Sequence, residues 1–169
     1  MKKAPSLLHV GCGGDPLPFW LRHYDEVRLD IDEAHSPDIV CDMRTLPEGL
    51  KVDAVYCSHA LEHISPHDVI PTLSGFHSAL NDGGMALVFV PDLEDVRATN
   101  EVLFNSPAGP ICGMDLIYGY RKMLKDKPHM AHKTGFTCST LYDAFAEAGF
   151  SKISVLRLSD YALMGAAKK

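Results

Sequence analysis

The sequence predicts an α/β fold: a Rossmann-like three-layer sandwich on a mostly parallel seven-stranded sheet, with an antiparallel C-terminal strand. Three observations lead there. Short apolar runs recur along the chain and stop at glycine or at an acid. The connection between the first two runs is just long enough for a crossover between parallel strands, which needs about a dozen residues. The run Met85–Val90 is apolar throughout, as in a strand buried on both faces.

Leu7-Leu8-His9-Val10 reads as a first strand entering a glycine turn. Val27–Ile31 is the second, with room between the two for only a short helix around Phe19-Trp20-Leu21. Asp38–Cys41 and Val52–Cys57 are the third and fourth. A helix follows, with Ser65 as N-cap, Pro66 at its first position and Asp68 in its first turn. Val69, Leu73, Phe76 and Leu80 form its apolar face, and Asn81-Asp82-Gly83-Gly84 is expected to end it. Met85–Val90 is the fifth strand. Residues 92–134 lose periodicity, with one helix expected around Met114–Leu124, and read as an insertion that serves as a substrate lid on a single domain of residues 1–169. Leu141, Ala144, Phe145 and Ala148 give a last helix, stopped by Gly149. Ile153–Leu156 and Tyr161–Met164 complete the sheet as a pair joined by a tight turn near Ser159-Asp160.

The formal net charge of -6 argues against an extended nucleic-acid surface. No apolar run reaches the roughly 18 residues of a membrane span. The lysines at Lys2 and Lys3 are followed by an apolar stretch broken at Gly11, which does not fit a signal peptide. Five cysteines, none in a C-x-x-C pair, read as reduced thiols of a cytoplasmic protein. A homodimer is compatible with all of this.

In open parallel sheets, ligands bind beyond the carboxyl ends of the strands. Gly11-Cys12-Gly13-Gly14-Asp15 follows the first strand, and its glycines allow close backbone approach. Asp30 lies 19 positions after Gly11 at the tip of the second strand, where a carboxylate can accept from ribose hydroxyls. Asp42 and Met43 follow the third strand; an acid there can accept from an adenine amino group and a methionine can pack on the ring. Ser58-His59-Ala60-Leu61-Glu62-His63 follows the fourth.

This ordered set resembles the class I S-adenosylmethionine-dependent methyltransferases, especially the compact small-molecule type. The motifs that carry the resemblance are Leu8–Gly14, Leu29-Asp30-Ile31, Cys41-Asp42-Met43, Asp53–His63 and Ala146–Phe150. It implies S-adenosylmethionine as cofactor and a small-molecule acceptor. It implies that Gly11, Cys12 and Gly13 approach the methionine part and that Asp30 holds the ribose, with Ile31 against the adenine. Asp42 would bond the adenine amino group beside Met43. Ser58 and His59 would meet the cofactor's amino group, with Leu61 packed nearby. Two positions depart from the family pattern: His9 replaces the acid two residues before the first glycine, and Asp15 replaces the third glycine. The helices that precede the first strand in that family are missing, so the insertion or a partner subunit is expected to cover the site.

Methyl transfer from a sulfonium needs alignment and exclusion of water above all. A base is needed when the nucleophile carries a proton of high pKa, and His59, His63 and His132 are the candidates. Tyr118 and Tyr120 could contact substrate from the insertion. A dinucleotide-dependent oxidoreductase would need glycine where Pro16 stands. A non-catalytic module of the same fold, binding cofactor or a partner, is the alternative. No metal is expected: His59 and His63 lie four apart with His67 close behind, but the H-E-x-x-H pattern is absent.

Overall fold

Alternating apolar residues of one sheet face two different layers in the computed structural model, which describes residues 4–158 and 161–169. The strands are β1 Ser6–Val10, β2 Asp25–Asp30, β3 Ile39–Val40, β4 Val52–Ser58, β5 Leu80–Pro91, β6 Val102–Ser106, β7 Gly109–Cys112, β8 Ser151–Leu158 and β9 Ala162–Lys168. The helices are α1 Pro66–Ala79, α2 Gly113–Tyr118 and α3 Cys138–Glu147. Seven strands form one sheet in the order β3-β2-β1-β4-β5-β9-β8. The pairs from β3 to β5 are parallel, and β9 runs antiparallel to both β5 and β8. The expected fold class is therefore the observed one. The turn expected near Ser159-Asp160 lies outside the described residues.

On one face Leu8, Val10, Val55, Cys57, Ala86 and Val88 pack with Leu73 and Phe76 of α1 and Leu141 and Phe145 of α3. Fully burying a side chain such as Phe76 or Phe145 contributes about 2–3 kcal/mol. On the other face Leu7, Ala54, Tyr56 and Leu87 meet Leu17 and Leu21. That layer is thin, because the β1–β2 crossover holds only a 3-10 turn, Phe19–Leu21.

Three local expectations shift. Ser65 takes the extended backbone of an N-cap, but its hydroxyl makes no capping bond. α1 ends at Ala79, and Leu80 already pairs with Val52. Asn81–Gly84 is thus an excursion inside β5, before Met85 rejoins opposite Ala54. In the insertion, the helix stops at Tyr118 because Gly119 has φ +90, and a Cβ there would lie 2.5 Å from the Met130 carbonyl oxygen. β6 and β7 form a separate hairpin that periodicity did not reveal.

The insertion is tied to the sheet at defined points. Lys133 and Thr134 N–H groups donate to the Glu62 carbonyl at 2.8 and 3.1 Å, and the Thr134 hydroxyl donates to the Ile64 carbonyl at 2.7 Å. Arg157 of β8 pairs with Asp92 and Asp95. Within the insertion, Asp115 accepts from the Cys112 N–H and thiol and from Arg121. Burial pushes the Asp115 carboxyl up, but these donors outweigh it and bring its pKa down to about 2.

An unfolded aspartate titrates near 3.9, so the Asp115 contribution is fully present above about pH 4 and is lost as pH falls toward 2. Asp115→Asn is expected to destabilise the protein by about 1–3 kcal/mol at pH 7, with a smaller penalty at pH 3. Thermal melts of both proteins across this range check it, and coincident melts at pH 7 would contradict it.

Candidate functional site

The site is assembled on the ends of β1, β2, β3 and β4. The chain leaves β1 with Gly11 and Gly13 at φ +63 and +48. Gly11 and Cys12 N–H groups both donate to the Leu29 carbonyl, at 2.9 and 3.2 Å. A Cβ on Gly11 would lie 2.6 Å from the Ala60 Cβ, so glycine is required there by both angle and space.

β2 holds this loop from below. Asp30 Oδ2 accepts from the Gly13 N–H at 2.7 Å, and Oδ1 accepts from the Asp32 N–H at 2.9 Å. Arg28 donates to the Gly13 carbonyl at 2.7 Å and to the Asp15 carbonyl at 3.0 Å. Arg28 also lies 3.4 Å from Glu26, whose Oε1 is 2.7 Å from His9 Nδ1. The acid missing at position 9 thus has a counterpart on the neighbouring strand. Burial lowers the His9 pKa despite Glu26.

A cavity of about 440 Å³ opens against this loop, within the roughly 300–1,000 Å³ common for small-molecule sites. Gly11, Cys12, Gly13, Asp30, Ile31, Asp42, Met43, Ser58, His59 and His63 all line it. Ile31 is 63% exposed, so an apolar surface is presented to the cavity. Asp42 is clamped by Arg44, whose Nε lies 3.0 Å from each oxygen and whose Nη2 lies 2.6 Å from Oδ2. These bonds hold its carboxyl below the usual range. Arg44 extends the bridge to Asp68 of α1 at 3.2 Å.

Leu61 is not brought to the cavity: it is fully buried among core side chains. Tyr118 and Tyr120 do not line it either; Met123, Lys127, His129, Met130 and Lys133 of the insertion do. Nothing in the spacing of these five shows where the insertion folds back. Arg44 was legible in principle, as a cation two residues after Asp42. A smaller cavity of about 120 Å³, lined by His9 and Tyr56, shares Gly11, Cys12, Asp15, Ser58 and His59 with the large one.

The histidines gather around Glu62, which nothing in the sequence sets apart from its polar loop. Glu62 is 1% exposed, and neither carboxylate oxygen has a hydrogen-bond partner among the described residues. His59 Nδ1 lies 3.5 Å from Glu62 Oε1 and His132 Nε2 lies 4.0 Å from it. The rings of His63 and His132 are 5.1 Å apart. Burial would lower the pKa of His59, but Glu62 outweighs it and raises it. For His132, burial dominates and lowers it. His67 stands apart with its side chain 82% exposed.

A family model described as a methyltransferase domain matches residues 2–155. No curated protein matches the chain. Among solved structures, an S-adenosylmethionine-dependent methyltransferase from Mesorhizobium loti superposes with a TM-score of 0.69 at 19% identity, covering 98% of this chain and 91% of the other. Burkholderia thailandensis 1,6-didemethyltoxoflavin-N1-methyltransferase, with bound 1,6-didemethyltoxoflavin and S-adenosylhomocysteine, gives 0.62 at 14%, covering 99% and 72%. Human N-acetylserotonin methyltransferase in complex with SAM gives 0.64 at 14%, covering 98% of this chain but only 47% of the human chain.

Gly11→Ala is expected to destabilise the fold by about 2–4 kcal/mol, combining left-handed strain with the Ala60 clash. At Gly14 the nearest atom to an added Cβ is His35 Nδ1 at 3.9 Å, so Gly14→Ala should stay within about 0.5 kcal/mol. Chemical denaturation separates the two variants; equal stabilities would contradict the assigned role of Gly11.

Proposed function

Since the chain belongs to the methyltransferase-domain family, we propose that it transfers the methyl group of S-adenosylmethionine to a small-molecule acceptor, with the cofactor in the cavity over the glycine loop. Its fold is that of the class I S-adenosylmethionine-dependent methyltransferases. One observation carries the cofactor placement. Asp30, the exposed Ile31, Asp42 and Met43 face one cavity whose floor is a glycine loop already held open.

The residues fit the cofactor in its parts. Each Asp30 oxygen makes one bond to the backbone and keeps a lone pair for a ribose hydroxyl. Ile31 and Met43 would flank the adenine, and Asp42, fixed by Arg44, would accept from its amino group. Gly11 to Gly13 would meet the methionine part, with Ser58 and His59 near its amino group. When bound, S-adenosylmethionine supplies a methyl group on a positively charged sulfur, ready for in-line attack.

The chain's own task is then to align the acceptor, exclude water and take up a proton. His59 is placed for the last of these: it lines both cavities, and Glu62 beside it favours its protonated form. His63 lines the large cavity, and His132 stands behind it. Residues 92–134 act as a lid through Met123, Lys127, His129, Met130 and Lys133, and these side chains select the acceptor. The small acceptor of the Burkholderia relative supports the same class here. Five free thiols fit a cytoplasmic setting, and no described helix is long and apolar enough to cross a membrane.

Calorimetry tests the reading. S-adenosylmethionine or S-adenosylhomocysteine is expected to bind one to one, with Asp30→Ala weakening binding at least about tenfold, or 1.4 kcal/mol. Methyl-labelled cofactor incubated with small-molecule extracts should then label an acceptor. Absence of binding by either ligand would refute the cofactor site; binding without turnover would favour the non-catalytic module.

A further inference from the structure

We propose that Glu62, His63 and His132 form a binding site for a divalent transition-metal ion of the zinc class. One ligand atom from each of these residues lies within 4.8 Å of the others. Ligands around one zinc ion at about 2.0–2.2 Å lie roughly 3–4 Å apart, so small side-chain movements close the set.

The surroundings prepare both histidines as ligands. His63 Nδ1 lies 3.3 Å from the Ala131 carbonyl oxygen, and His132 Nδ1 lies 2.8 Å from the Leu116 carbonyl oxygen. Each carbonyl can only accept, so each Nδ1 is the donor of its pair, which leaves Nε2 as the ring's ligand atom. This is the backbone support that metal-binding histidines commonly have. His132 Nε2 points to the Glu62 carboxylate at 4.0 Å.

Glu62 supplies the second, independent observation. A carboxylate buried to 1% exposure with no hydrogen bond to either oxygen among the described residues is costly unless a cation compensates it. Burial would push the Glu62 carboxyl up, but His59 and His63 outweigh it and hold it below its usual range. His59 Nδ1 forms one long ion pair with Oε1 at 3.5 Å from a half-exposed ring, but Oε2 keeps no partner among the described residues. Two imidazoles and one carboxylate suit zinc, cobalt or ferrous iron better than magnesium or calcium. Three protein ligands leave coordination positions open, and His63 also lines the large cavity. The site is anchored twice by the chain's return from the insertion, through Lys133 and Thr134 on the Glu62 carbonyl. Metal binding there would therefore couple residues 128–134 to the β4 end. This inference does not depend on the methyl-transfer reading.

The test uses the full chain without a histidine tag, stripped with a chelator and titrated with Co²⁺. Visible absorption bands are expected to saturate at one ion per chain, and Zn²⁺ should displace them. Glu62→Gln and His132→Ala should each weaken binding at least about tenfold, while His67→Ala leaves it unchanged. Histidine-ring NMR of the wild-type protein decides the matter if a variant fails to fold: Co²⁺ should broaden His63 and His132 signals first. Unsaturable binding, or broadening confined to exposed rings such as His67, would overturn the proposal. Calorimetry with S-adenosylhomocysteine on the same stripped protein keeps the two readings separate, because cofactor binding without metal binding refutes only this one.

Discussion

The structure depends on the grip of β2 on the glycine loop. Asp30 takes the Gly13 N–H while Arg28 takes the Gly13 and Asp15 carbonyls. The loop is thus held from both its donor and its acceptor side by charged groups, which form the stronger class of hydrogen bond. With the loop fixed, Gly11 sits in contact distance of Ala60 at the end of β4. Next to Ala60, His59 carries φ +49 and donates its N–H to the Phe89 carbonyl at 2.9 Å. These contacts tie the β1, β2 and β4 ends together around one cavity.

The two ends of the cavity differ electrostatically. At one end the acids are already engaged: Asp30 by backbone N–H groups and Asp42 by Arg44. Each carboxylate is thereby held in a fixed orientation at the cavity wall, and Arg44 balances the charge of Asp42. His59 and His63 line the other end, and behind them the buried Glu62 carboxylate lies 3.5 Å from His59 Nδ1 and 4.0 Å from His132 Nε2. The insertion adds Lys127 and Lys133.

Much of the architecture was legible because it is local. Apolar runs such as Leu7–Val10 and Met85–Val90 mark strands, and the polar residue after each run marks a strand tip. Asp30, Asp42 and Ser58-His59 could be found this way. What escaped was long-range. Pairing of β6 with β7 leaves no periodic trace in so short a hairpin. Glu62 looks like any acid of a polar loop until Lys133 and Thr134, some seventy residues on, close over its backbone. His9 read as a departure, and only strand pairing showed Glu26 beside it. Leu61 shows the converse: it stands between cavity residues in sequence, yet the 3-10 turn Leu61–His63 points it into the core.

A crystal structure with S-adenosylhomocysteine tests the central claim most directly, namely that β2 presets the glycine loop as a cofactor floor. The backbone of Gly11–Asp15 should superpose on the present structure within about 1 Å. Asp30 should keep the Gly13 N–H while accepting from the ribose, and the adenine should lie between Ile31 and Met43. A ligand seated away from this loop, or a loop rebuilt with Asp30 released from Gly13, would contradict the account.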